Sequence, residues 1–82
     1  MKVYLTYWCN NGDYEDYHER VCGAYSTRKK AVATIEAAGF AKGVPEGFGW
    51  ASKSKWHMPT MFDDEGTPWE LHSMWVREME VE

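Results

Sequence analysis

The chain has 82 residues, a formal net charge of −4 and an aromatic content of 16%, including five Trp and five Tyr. This length gives one domain that buries about 60% of its unfolded surface, and large aromatic side chains, each removing roughly 150–250 Å² from water when buried, argue against disorder. No apolar run approaches the ~20 residues of a membrane-crossing helix, so no membrane partner is expected.

Residues 2–9, KVYLTYWC, alternate and are rich in β-branched and aromatic types. They predict a strand with Val3, Leu5, Tyr7 and Cys9 on one face and Lys2, Tyr4, Thr6 and Trp8 on the other. This start lacks the long apolar stretch and small-residue cleavage site of a secretion signal. The expectation is a cytoplasmic chain whose Cys9 and Cys22 stay reduced. NNGDYEDYHER then supplies Asn-Gly and polar residues, the mark of a turn. RVCGAYS reads as a second strand, and placing Cys9 opposite Cys22 centres the hairpin near Glu15 and Asp16.

Ser26 or Thr27 suits a helix N-cap. The helix runs to about Ala38, with Ala31 or Val32, Ile35 and Ala38 on the packed side. Gly39 follows as the residue that ends it, with Phe40 closing over the end. Three cations, Arg28, Lys29 and Lys30, occupy the first turn, where the helix dipole disfavours them. An acidic C-terminal strand or loop nearby would offset that cost. AKGVPEGFG, residues 41–49, reads as a loop.

WASKSKWHM, residues 50–58, alternates again and predicts a strand with Lys53 and Lys55 on one face and Trp50 and Trp56 on the other. A turn follows, with Asp64-Glu65-Gly66 at its tip. In WELHSMWVREMEVE, Trp69, Leu71, Trp75, Met79 and Val81 share one face, and Glu70, His72, Met74, Val76, Glu78 and Glu80 the other. Period two, Trp and Val favour a strand over a helix starting at Pro68. The order β-β-α-β-β makes residues 1–82 a single α+β domain, a two-layer fold in which one short amphipathic helix packs on an antiparallel sheet.

The stretch GAYSTRKKAVATIE resembles a pattern in small uncharacterised proteins of bacteriophages and bacteria. There a KVYL-like strand and an acidic loop precede G-[VA]-[YF]-S-[ST]-R-x-K-A, and a strand of alternating acidic and apolar residues, like VREMEVE, ends the chain. The likeness covers residues 1–39 and, loosely, the last strand. Lys29 stands where that pattern commonly has an acid. The resemblance implies a small phage-type accessory protein in the host cytoplasm and implies no activity.

Charge is unevenly distributed. Residues 1–27 carry a net −2, residues 28–55 a net +4 and residues 56–82 a net −6. The acidic first loop interleaves Tyr14 and Tyr17 with Asp16 and Glu19. Tyrosines supply contact area with a polar tip, and acidic neighbours steer them towards a basic protein surface. A host or viral protein is therefore the first expected partner, bound through Tyr14, Asp16, Tyr17 and Glu19. Arg28, Lys29, Lys30, Lys53 and Lys55 form the alternative, a nucleic-acid site with aromatics for stacking, although net negative charge opposes tight binding there. Self-association through the last strand, if it lies at a sheet edge, is a further alternative that its glutamates oppose.

Chemistry has little to stand on. Cys9, His18 and Cys22, with Asp13, Glu15 or His57 as a fourth ligand, lack the paired spacing of a zinc site. Asp63, Asp64 and Glu65 lack the spacing of a calcium loop. GVPEGFG lacks the Lys-Ser/Thr ending of a phosphate loop. His57 and His72 have no evident Ser or Cys partner, and no serine sits in a nucleophile elbow. A non-catalytic protein without cofactor is expected.

Overall fold

Each segment folds according to what its neighbours allow it to bury. The computed structural model describes residues 1–12 and 14–81, and of Tyr14 the backbone alone. The elements are β1 (Lys2–Cys9), a single 3-10 turn (Tyr14–Asp16), β2 (Glu19–Tyr25), α1 (Arg28–Ala37), β3 (Ala41–Lys42), β4 (Trp56–Phe62) and β5 (Pro68–Glu80). They form one five-stranded sheet in the order β2-β1-β5-β4-β3, antiparallel at every pairing. The α+β class stands, with the order corrected to β-β-α-β-β-β.

β1 alternates as its sequence requires, and β5 is a strand throughout. The cross-strand pairs Trp8↔Met74 and Trp56↔Met74 put three large side chains on one face. There Ile35 of α1 and Phe40 complete a buried cluster with Trp56 and Met74, flanked by Trp8, Val32, Met58 and Val76. Thr27 caps α1, its Oγ1 accepting from Lys30 N at 3.1 Å. At the other end Gly39 N donates to Glu36 O at 3.0 Å and Phe40 N to Ile35 O at 3.4 Å. This double closure is the Schellman arrangement, and it uses a left-handed residue, Gly39 at φ 99°. The same chain reversal drops Phe40 onto Ile35.

Four expectations need correction. Cys9 pairs with Glu19, not Cys22, and a register shift between Thr6 and Tyr7 passes over Cys22. The hairpin is therefore tighter than a Cys9–Cys22 pairing allows: Cys9 is buried and Cys22 exposed. Residues 50–55 form turns, and the fourth strand starts only at Trp56. Ala41 and Lys42, read as loop, pair with His57 and Trp56. Finally, β5 lies at the centre of the sheet, hydrogen-bonded on both sides by β1 and β4. Its backbone is thus engaged, and the route to self-association through that strand's edge is closed along the paired residues.

Candidate functional site

β5 continues past the end of β1, because β1 stops at the pair Cys9↔Ser73. The space beyond is filled by the first loop. Asn10 folds this loop on itself: its Nδ2 donates to Asp16 O at 2.7 Å, and its Oδ1 accepts from Gly12 N at 3.0 Å and His18 N at 2.9 Å. Asn11, left-handed at φ 54°, ties the loop to the sheet. Its Nδ2 donates to Leu71 O at 2.6 Å and to Ser73 Oγ at 2.7 Å, while Cys9 Sγ donates to its Oδ1 at 3.4 Å.

Ser73 joins a second loop to the same network. His57, directly opposite it in the ladder, places Nδ1 2.6 Å from Ser73 Oγ and Nε2 2.8 Å from Ser52 O. A carbonyl only accepts, so Nε2 carries the proton and, in the neutral ring, Nδ1 accepts from the serine hydroxyl. The expectation that His57 has no serine partner is thus corrected. The pairing resembles a nucleophile and its base, but Ser73 is 1% and His57 2% exposed. A substrate cannot reach Oγ there. The network instead clamps two loops onto the sheet, the second of which sets Phe48 and Ala51 against Leu71.

What the clamp positions is a solvent-open groove. Its volume is about 360 Å³, and it is lined by Asn10, Asn11, Gly12, Asp16, Trp50, Trp69, Glu70 and Leu71. Trp50 sits in the second loop, edge-on to Phe48 with ring centres 6.0 Å apart. Trp69 lies near the start of β5. Both indoles are exposed, at 63% and 64%. Glu70 Oε1 meets His72 Nε2 at 2.7 Å. Sequence reading weighed Trp50 only as a stacking aromatic of the nucleic-acid alternative and did not mark Trp69 as a surface group. Their signal was present: GFGW places Trp50 among turn residues, and TPW places Trp69 at the very start of a strand, just after a turn.

The first-loop residues meet this groove only in part. Asp16 lines it. Tyr17 and Glu19 are exposed nearby in sequence, and Tyr17 OH donates to Glu19 Oε2 at 2.7 Å. That bond to a carboxylate, with some burial, holds the Tyr17 phenol well above its ordinary range. The side chain of Tyr14 lies outside the described residues, as does Asp13.

The cations are divided. Arg28, Lys29 and Lys30 open α1, on the Met74 face of the sheet. Lys55 Nζ lies 4.2 Å from the ring centre of Trp75, which strand alternation puts on the opposite face. Lys53 lies in the turn before β4, not beside Lys55 on a strand. Among the described residues no carboxylate pairs with Arg28, Lys29 or Lys30. The acidic end of β5 is matched instead by the N-terminal amine on Glu80 and by Lys2 on Glu78, at 3.2 and 3.7 Å. The cost of three cations at a helix start is therefore borne in solvent, where it is small.

Cys9, His18 and Cys22 are not gathered, and no group of three or more metal-ligating side chains occurs among the described residues. Asp63 Oδ1 accepts from Glu65 N and Thr67 N, both at 2.9 Å, so that carboxylate shapes its own turn. Among the described residues no helix is long and apolar enough to cross a membrane. No family model, curated protein or solved structure matches the chain.

Proposed function

We propose that this chain is a small two-layer α+β accessory protein of phage type that works in the cytoplasm by binding a host or viral protein, without catalysis. The observation that carries this reading is the groove end of the sheet, where Asp16 of the acidic first loop meets two exposed indoles. Exposed aromatics beside acids suit a partner surface that is basic at its rim and apolar at its centre. Tyr17 and Glu19 extend the same loop towards that partner. Burial of the Ser73–His57 pair supports a non-catalytic role.

A second reading, nucleic-acid binding through Arg28, Lys29, Lys30, Lys53 and Lys55, draws support from Lys55 on Trp75. It is weakened by the division of those cations between two sides of the sheet. One experiment separates the two. The immobilised chain is exposed to bacterial lysate with and without nuclease and washed at low and high salt. The protein-binding reading expects a protein that survives nuclease and salt, and that Asp16→Asn with Tyr17→Ala releases. Recovery of nucleic acid alone, lost at high salt as phosphate contacts require, overturns it.

A further inference from the structure

The groove between Trp50 and Trp69 is built for a particular chemistry. We propose that it receives a lysine or arginine side chain presented by the partner protein, an inference that rests on the protein-binding reading above.

The inventory of polar groups decides the ligand class. Both Nδ2 hydrogens of Asn11 are spent on Leu71 O and Ser73 Oγ. The Asn10 oxygen already accepts twice, and its Nδ2 holds Asp16 O. The two amides therefore offer little to a hydroxyl-rich ligand such as a sugar. Of the described lining residues that ionise, Asp16 and Glu70 are both acids and none is basic. Glu70 already holds His72 at 2.7 Å, on the opposite face of β5 from Trp69, so Asp16 is the groove's acid. An anionic ligand finds no counter-charge. The described surroundings combine negative charge with two exposed indoles, and that combination selects a cation.

Geometry decides the source. The groove is open to solvent, and its two indoles are 63% and 64% exposed. A free cation would leave the outer surfaces of these indoles in water. A cation carried on a protein surface would not, because the surrounding surface covers the outer indole faces. A volume of about 360 Å³ admits such a side chain with room to spare. The net charge of −4 steers a basic partner to the site.

Titration calorimetry on the full chain tests this with acetylated, amidated Gly-Gly-Arg-Gly-Gly. Its Lys, norleucine and Glu counterparts and tetramethylammonium chloride serve as comparisons. The Arg and Lys peptides should bind weakly, more tightly than tetramethylammonium, and the norleucine and Glu peptides should not bind. Trp50→Ala or Trp69→Ala should weaken binding roughly 2- to 30-fold, the range of one cation–aromatic contact. Asp16→Asn, which leaves the indoles in place, should also weaken it. Equal binding of the norleucine peptide, or indifference to both Trp substitutions, overturns the proposal. Tighter binding of tetramethylammonium overturns the protein-borne source. No binding of the Arg peptide while lysate capture persists overturns the groove assignment alone; Arg binding without any lysate capture overturns the accessory reading instead.

Discussion

Ser73→Ala removes one oxygen, and three segments feel it. The hydroxyl sits 2.6 Å from His57 Nδ1 and 2.7 Å from Asn11 Nδ2, in a residue that is 1% exposed. Without it, His57 Nδ1 is a buried acceptor with no donor, at a cost of about 1–3 kcal/mol. Asn11 keeps Leu71 O but loses its second acceptor, which adds about 0.5–1.5 kcal/mol. The sum, about 1.5–4.5 kcal/mol, is a large part of the ~5–15 kcal/mol of a small domain. For a chain of this size it lowers the melting temperature by roughly 6–36 °C. Urea and thermal unfolding followed by circular dichroism measure it. His57→Phe combined with Ser73→Ala should cost less than the two single losses added, since the pair is removed together. A loss below about 0.5 kcal/mol for Ser73→Ala, typical of an unremarkable surface change, or strict additivity in the double variant, would refute the clamp.

Three other outcomes follow from the same geometry. Gly39→Ala should destabilise by about 1–2 kcal/mol, because a side chain is strained at φ 99°; equilibrium unfolding reads the change. A thiol reagent should modify exposed Cys22 quickly and buried Cys9 only when the sheet opens, and Cys22→Ser should abolish the fast phase. Alkaline titration monitored by tyrosinate absorbance should find Tyr17 ionising later than an ordinary tyrosine, and Glu19→Gln should bring it earlier. The pKa is raised in the folded chain, so any stability from this bond is present at neutral pH. It is lost only as pH rises beyond the ordinary tyrosine range.

Local chemistry made part of this fold readable. Alternation in KVYLTYWC gave β1 because period two and β-branched and aromatic types are written within the strand itself. Thr27 and Gly39 marked the ends of α1 because caps act within a few residues. The fourth strand was misplaced for a physical reason. SKSKW alternates, but these polar residues turn, and the ladder runs instead through Pro59, opposite Leu71. Proline is tolerated there because β3 pairs only with Trp56 and His57, leaving the outer edge of β4 free at Pro59. The hairpin register failed because the shift near Cys22 inserts a residue that no pattern announces. The site was the least legible part. His57 meets Ser73 through cross-strand register, and the groove draws on the first loop, the second loop and β5 together. Sequence marked Asp16 as a contact residue from its loop, but not the indoles it would work with.

The most direct test of the account uses the indole N–H signals of the five tryptophans in the isotope-labelled full chain. Each is assigned by substitution, and the spectrum is followed as the salt-resistant partner captured from lysate is added. The account predicts that Trp50 and Trp69 shift or broaden first while buried Trp56 holds still. Perturbation centred on Trp75, on the face that carries Lys55, with Trp50 and Trp69 unmoved, would contradict it.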